Sequence, residues 1–254
     1  MDYVGGFAVN EVMNGAMSEV CSLIDNGDTP VLIICDHASN HVPADIDLGI
    51  AADLLDTHIA VDIGVAEVAT LIAARLRCKA ILAGFSRLVI DANREEDRDG
   101  LVPESSDGHA IVGNAGADKE VRLARFYRPY HNAVAAQLAA MNRPFILSLH
   151  SFTPSLGSDP TQKRPWEIAT LYNDDDRAAR IALPVFEAAG LNAGDQLPYS
   201  GRILNATMNR HGEANDIAYL NIEMRQDIVG TAEGQQRFAD ILAPIVEQCR
   251  ATLA

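Results

Sequence analysis

The stretch VLIICDHASNHVP, residues 31–43, joins a short apolar run to a cluster of polar side chains. A continuous apolar run of this length is typical of a strand covered on both faces, as in a parallel sheet. Asp36 and His37 would then follow the carboxyl end of that strand, which is where ligands bind in open α/β sheets. The stretch therefore predicts an α/β fold and a functional site at this edge of the sheet.

The rest of the chain alternates between predicted strands and predicted helices. Apolar residues recur at intervals of three and four over residues 61–77, which predicts a helix packed on the first strand. Further strands are predicted at 80–85, 87–91, 144–150, 167–172 and 218–225, and further helices at 118–141, 175–189 and 232–253. The polar, glycine-rich residues 94–116 are predicted to form a long loop. This order predicts one α/β domain over residues 1–254, with a mainly parallel sheet and helices on both sides.

The composition excludes some classes of function. Lys and Arg total 20 against 35 Asp and Glu, and the net charge of −15 argues against nonspecific binding to nucleic acid. The start of the chain lacks the pattern of a secretory signal, and no apolar run approaches the roughly 20 residues that span a bilayer. We therefore expect a cytoplasmic protein without membrane contact. The four scattered cysteines are expected to be reduced; Cys35 could be catalytic, but its position in a strand favours a packing role.

Three ligand-type residues lie late in, or directly after, predicted strands: His37, His150 and Glu223. Two imidazoles suit a borderline metal ion such as Zn²⁺, and a nearby carboxylate can take a proton from an attacking water. Each histidine alone could equally be a hydrogen-bonded structural residue, but their shared position at strand ends favours a common cleft. Asp62 or His58 could complete the site or orient a ligand, although Asp62 could instead cap the predicted helix.

A second cluster offers groups that bind carboxylates. Arg87, Asn93 and Arg94 supply guanidinium and amide donors, which suits recognition of an anionic substrate. The alternative is that these arginines pair with the neighbouring acids on a solvated loop. His131 and His211 are further candidates to line the site, although a satisfied, half-buried histidine is the more common reading of His131.

Seven segments of the chain resemble the N-formylglutamate amidohydrolase family. In order they are CDHASNHVP, THIAVDIG, SRLVIDANR, FYRPYH, LSLHSFTP, PYSG and NIEMRQD, and together they extend over roughly residues 30–230. This family is similar in architecture to zinc carboxypeptidases and to the aspartoacylase and succinylglutamate desuccinylase group. The resemblance implies a three-layer αβα sandwich with a mixed, mainly parallel central sheet.

The resemblance also implies roles for individual residues. His37 and His150 match the two metal-binding histidines, Glu223 matches the catalytic base, and Arg87 with Asn93 and Arg94 matches the carboxylate-binding groups. The relatives have a metal-binding glutamate three residues after the first histidine, where this chain has Asn40. Either the third ligand is Asn40, as a weak ligand, or it is Asp36 or Asp62, or the site holds its metal ion loosely.

These implications lead to a specific expectation of function. The protein would use one divalent ion, Zn²⁺, to hydrolyse N-formyl-L-glutamate to formate and L-glutamate, a reaction of histidine degradation. Rival readings are a hydrolase of another N-acyl amino acid or short peptide, and a non-catalytic protein that binds acidic amino acids. A second cation for the substrate side chain would separate the first two, and Arg202 is the candidate. The expected partner is a small anionic molecule, and the sequence leaves the oligomeric state open.

Overall fold

The computed structural model describes residues 18–254, and in this part of the chain seven strands form one sheet. The strands are β1 (Cys21–Asp25), β2 (Val31–Cys35), β3 (Lys79–Ala83), β6 (Phe145–Phe152), β7 (Ile168–Leu171), β8 (Ala193–Asp195) and β9 (Tyr219–Arg225). Their order across the sheet is β1-β3-β2-β6-β9-β7-β8. β1 and β7 run antiparallel to β3 and β9, and the other neighbours are parallel. The prediction of a mixed, mainly parallel sheet is confirmed.

Helices cover both faces of this sheet. They are α1 (Val65–Leu76), α2 (Lys119–Arg122), α3 (Arg128–Ala139), α4 (Arg177–Ala188), α5 (Ala206–His211), α6 (Gln226–Val229) and α7 (Ala232–Leu253). Apolar residues of α1, α4 and α7 pack with one set of strand side chains, and those of α3 and α5 pack with the other. The three-layer arrangement follows from two separate apolar cores, one on each side of the sheet.

The alternation of side chains along the central strands determines which face carries the site. Leu147 and Leu149 of β6 and Ile222 of β9 belong to the core formed with α1, α4 and α7. His150 and Glu223 therefore point to the opposite face, because successive side chains of a strand alternate between faces. The two residues are direct register partners in the parallel β6–β9 pair.

The predicted strand at residues 87–91 is wrong. This segment is a series of turns, in which the Val89 amide donates to the Ser86 carbonyl and the Asp91 amide donates to the Leu101 carbonyl. Its apolar residues are fully buried, but Val89 and Leu88 enter different apolar clusters. The apolar run therefore predicted correctly that this segment is buried. Its backbone hydrogen bonds, however, are made within loops and not in a sheet.

The helical segment around Pro129 has two parts. Leu123–Tyr127 forms a π-helical turn between α2 and α3, and Pro129 lies in the first turn of α3. Proline is tolerated there because the first turn of a helix does not use all of its N–H groups. Pro129 therefore lies at the start of α3 and does not interrupt it.

The long loop at residues 94–116 contains a small hairpin, formed by β4 (Ser105–Ser106) and β5 (His109–Ala110). Among the described residues, no helix combines the length and apolar character needed to cross a membrane. The expectation about a secretory signal concerns residues outside the described part.

Candidate active site

A cleft of about 440 Å³ opens at the carboxyl edge of the central strands. His37 follows β2, His150 lies near the end of β6, and Glu223 lies beside His150 on β9. All three side chains line the cleft and are almost fully buried. The fold thus brings together the three residues that the strand-end pattern selected.

Asp62 is the residue around which the two histidines are arranged. Its Oδ2 atom lies 3.1 Å from Nδ1 of His150 and 3.4 Å from Nδ1 of His37, and it accepts a hydrogen bond from the Ser151 amide at 3.3 Å. Helix α1 begins later, after Gly64, and Asp62 makes no side-chain cap to it. Of the two readings of Asp62, the geometry supports the functional one.

His37, Asp62 and His150 form the group of three side chains in the described residues that could hold a metal ion. One ligand atom from each lies within 4.8 Å of the other two, and all three residues are buried. Two imidazoles and one carboxylate suit Zn²⁺, and catalytic zinc sites use three protein ligands with a fourth position open. The donor set therefore fits the ion that the sequence led us to expect.

Two further aspartates lie near Nε2, the ring nitrogen of each histidine that does not face Asp62. Nε2 of His37 lies 2.7 Å from Asp91, and Nε2 of His150 lies 3.6 Å from Asp36, which is too long for a hydrogen bond. The other oxygen of Asp36 accepts from the Tyr130 hydroxyl at 2.8 Å. A carboxylate behind a ligating imidazole fixes the ring and leaves its inner nitrogen free to bind a metal ion. Asp91 orients His37 in this way, whereas Asp36 lies too far from His150 to do the same.

Burial and charge act together on the ionisable groups of the cleft. Burial lowers the pKa of His37, as does Arg87, but Asp91 and Asp62 outweigh both and raise the pKa to about 9. Burial raises the pKa of Asp62, but the histidines and Arg87 hold it well below its usual range. Burial also raises the pKa of Glu223 to about 7, although His150 opposes that shift. Glu223 can therefore exchange a proton near neutral pH.

The predicted carboxylate-binding residues line the same cleft. Arg87 donates to Asp62 at 3.2 Å and to Asp91 at 2.9 Å, which fixes its guanidinium beside the histidines. Asn93 accepts from the Thr207 amide through its side-chain oxygen, and Arg94 lies 3.8 Å from Asp91. Arg94 is the more exposed of the two arginines. Its acidic neighbour in the structure is Asp91, a residue of the cleft lining.

Comparison with known proteins identifies the family of this chain. The sequence model of the N-formylglutamate amidohydrolase family matches residues 29–229. The chain belongs to this family. It is therefore a hydrolase that acts on amide C–N bonds, and the reading as a non-catalytic binding protein loses its support. No functionally curated protein is significantly similar to the chain.

Two solved structures show how far the likeness extends. The gene product Atu2144 from Agrobacterium tumefaciens is 27% identical with a TM-score of 0.85, over 95% of this chain and 98% of that one. The N-formylglutamate amidohydrolase from Ralstonia eutropha JMP134 is 19% identical with a TM-score of 0.68, over 93% of this chain and 98% of that one. At 19% identity, the similarity to the Ralstonia eutropha structure shows that the two chains share a fold.

Four residues that the sequence suggested for the site do not line the cleft. The side-chain amide of Asn40 donates to Asp56 at 2.8 Å, and Asn40 does not line the cleft, so the geometry gives no support to Asn40 as a ligand. Arg202 is exposed on a turn and also does not line it. His131 and His211 bond to each other at 2.9 Å, and both are buried outside the cleft lining.

His58 does line the cleft, but at its rim. Its Nε2 atom lies 2.8 Å from Asp107, a residue of the hairpin β4–β5 that the sequence reading missed. Asp107 also accepts from the backbone amides of Gly157 and Ser158, at 2.8 and 2.9 Å. It therefore joins two loops and His58 at the entrance.

Cys35 points away from the site. Its side chain belongs to the core formed with α1, α4 and α7, and burial, with Asp36 and Asp62 nearby, raises the pKa of its thiol well above the usual value. The thiolate is the reactive form of cysteine, so this environment favours the packing role.

Proposed function

We propose that this enzyme hydrolyses N-formyl-L-glutamate to formate and L-glutamate with the help of one divalent metal ion, Zn²⁺. The observation that carries the proposal is the convergence of His37, Asp62 and His150 beside the buried carboxyl group of Glu223. When bound, the ion would acidify a water molecule and polarise the formyl carbonyl. The chain itself supplies proton transfer, orientation and substrate binding.

Glu223 is suited to both proton transfers. One of its oxygens is buried and has no hydrogen-bond partner in the described part of the chain, so it is free to accept a proton. With a pKa of about 7, its carboxylate can take a proton from the water that attacks the formyl carbon. It can then return that proton to the nitrogen as the C–N bond breaks, so that the products are formate and the free amine.

Electrostatics favour a cation at the centre of the cleft. Four carboxyl groups are buried around it, belonging to Asp36, Asp62, Asp91 and Glu223, and Arg87 contacts two of them. Arg87 and His37, whose pKa is raised to about 9, offset part of this negative charge, and a divalent ion would offset the rest. The position of the Asp62 carboxylate beside both histidines supports Asp62, rather than Asn40, as the third ligand.

Substrate selection would depend on the guanidinium and amide groups that line the cleft. Arg87, Asn93 and Arg94 line the cleft and offer donors for one substrate carboxylate. Hydrolysis of another N-acyl amino acid is the alternative, and the acyl group would distinguish it. We also expect a cytoplasmic enzyme, since all four cysteines are buried and unpaired, as is usual in a reducing compartment.

The test measures bound metal and formate release from N-formyl-L-glutamate, with N-acetyl-L-glutamate as the second substrate. We expect purified protein to bind one Zn²⁺, and Glu223→Gln to lower kcat by about 10²- to 10⁴-fold without losing the metal. Glu187→Gln, at an exposed position of α4, is the matched control and should retain full activity. If the Zn²⁺-loaded wild type releases no formate, the proposed substrate is wrong. If Glu223→Gln is as fast as the wild type, the role of Glu223 is wrong.

A further inference from the structure

Arg164 is a buried cation for which the described residues provide no acidic partner. Its side chain is only 6% exposed, yet no carboxylate lies within ion-pair distance of it in that part of the chain. In a chain with a net charge of −15, acidic partners are plentiful. Burying an unpaired guanidinium is costly, so an arginine in this position is expected to serve an anion that arrives from outside.

The contacts of Arg164 lead to the cleft. Its Nη1 atom donates to the hydroxyl of Tyr199 at 2.9 Å and to the hydroxyl of Thr153 at 3.2 Å. Both Tyr199 and Thr153 line the same cleft as Glu223 and Arg87. Arg164 thus lies directly behind two hydroxyl groups of the cleft wall.

These contacts determine how the two hydroxyls are oriented. Arginine can only donate, so the oxygens of Tyr199 and Thr153 accept from it, and each keeps one O–H to donate. Neither O–H donates to another group in the described residues. Two free hydroxyl donors backed by one cation form a binding site for an anionic oxygen.

The segment that carries Arg164 is fixed by its backbone. The Arg164 amide donates to the Pro154 carbonyl at 2.9 Å, and the Pro165 carbonyl accepts from Asn192 and Arg225. Arg225 is the last residue of β9, the strand of Glu223. The backbone that carries Arg164 is therefore tied to β9, the strand of Glu223.

We infer that Arg164, acting through Tyr199 and Thr153, forms the second carboxylate subsite of the cleft and selects N-acyl amino acids with an acidic side chain. Arg87, Asn93 and Arg94 serve one substrate carboxylate, and the Arg164 group serves the other. This inference rests on the proposed function. It replaces Arg202, which is exposed on a turn, as the second cation.

The test compares substrates with and without the distal carboxylate. For N-formyl-L-glutamate, Arg164→Met is expected to lower kcat/KM by about 100-fold, mainly through KM, whereas for N-formyl-L-norvaline the change should stay within about threefold. Arg164→Lys should recover part of the preference, and Tyr199→Phe should lose about tenfold on the acidic substrate alone. Arg177→Met, on the surface of α4, is the matched control and should change neither value.

Binding measurements test the proposed subsite independently of catalysis. By calorimetry, the wild type should bind L-glutamate at least tenfold more tightly than L-norvaline, and Arg164→Met should bind both alike. If the wild type hydrolyses neither formyl substrate, the proposed function fails, while the calorimetry still decides the subsite. The subsite is refuted if the wild type shows no preference, if Arg164→Met keeps it, or if Arg202→Met abolishes it instead.

Discussion

Acidification is expected to destabilise the protein through the buried pair of His131 and His211. Nε2 of His131 lies 3.0 Å from the carbonyl of Ala92, which can only accept, so this nitrogen carries a proton. Nδ1 of His131 must then accept from Nε2 of His211, 2.9 Å away. Both rings are neutral in this arrangement, and protonating His131 would place two donors against each other.

The magnitude follows from the shift at His211. Burial and the neighbouring Arg210 lower its pKa to about 4, against about 6.5 in an unfolded chain. Because the folded pKa is depressed, the contribution of His211 to the free energy of unfolding is nearly constant above pH 6.5 and falls as the pH drops from there toward 4. Between pH 7 and pH 5 the unfolded state gains this proton and the folded state does not, which costs about 2 kcal/mol. Burial and His211 also lower the pKa of His131, which adds to the loss.

The matched perturbation is His211→Gln, since glutamine can still donate to His131 but does not titrate. Urea unfolding at pH 7 and pH 5 should show that the variant loses about 2 kcal/mol less than the wild type over this interval. His109→Gln, at an exposed histidine, should lose as much as the wild type. Equal losses in His211→Gln and the wild type would refute the assignment of a neutral pair.

Three further predictions concern the site and its supports. Asp91→Asn should weaken Zn²⁺ binding by about 10- to 100-fold in a chelator competition, because Asp91 orients His37; unchanged affinity would contradict that role. Gly64→Ala should lower the free energy of unfolding by about 3 kcal/mol or more, since φ is +82° and a Cβ would lie 2.1 Å from the Val229 carbonyl. Gly116→Ala is the control, because Gly116 has a φ of +75° but no atom near a Cβ, and it should lower the free energy of unfolding by only about 1 kcal/mol. Equal losses in the two variants would refute the clash at Gly64. Asp107→Asn should speed hydrogen exchange at the Gly157 and Ser158 amides by about tenfold, and unaltered exchange would show that Asp107 does not hold this loop.

Three residues of the inner site could be predicted because they lie at or near strand ends, whereas Asp62 lies on a loop and the sequence left its role open. His37 and His150 follow apolar runs closely, and the carboxyl ends of parallel strands meet at one edge of the sheet. Glu223 was predictable for the same reason, and its pairing with His150 follows from the register. Local sequence is sufficient for such residues, since the strand itself determines where they point.

The outer part depends on loops and could not be predicted in the same way. Asp91 was hidden in a segment whose apolar residues suggested a strand, although its backbone forms turns. Arg164 lies in a polar interval with no periodic pattern, and only the folded chain brings it behind Tyr199. Arg202 follows the segment that carries Tyr199, but the turn exposes it. Proximity in sequence was a poor guide to the direction of these side chains.

The division between strand-borne and loop-borne residues has a consequence for how such enzymes diversify. His150 and Glu223 are placed by two neighbouring central strands, while Arg164, Tyr199 and Asp107 are placed by connecting segments. If Glu223 transfers the proton and Arg164 selects the substrate, as proposed above, substitutions in those segments can alter which amino acid is accepted without moving Glu223. On that proposal, the substrate preference of the cleft can change through its loops while the strands keep the hydrolytic groups in place.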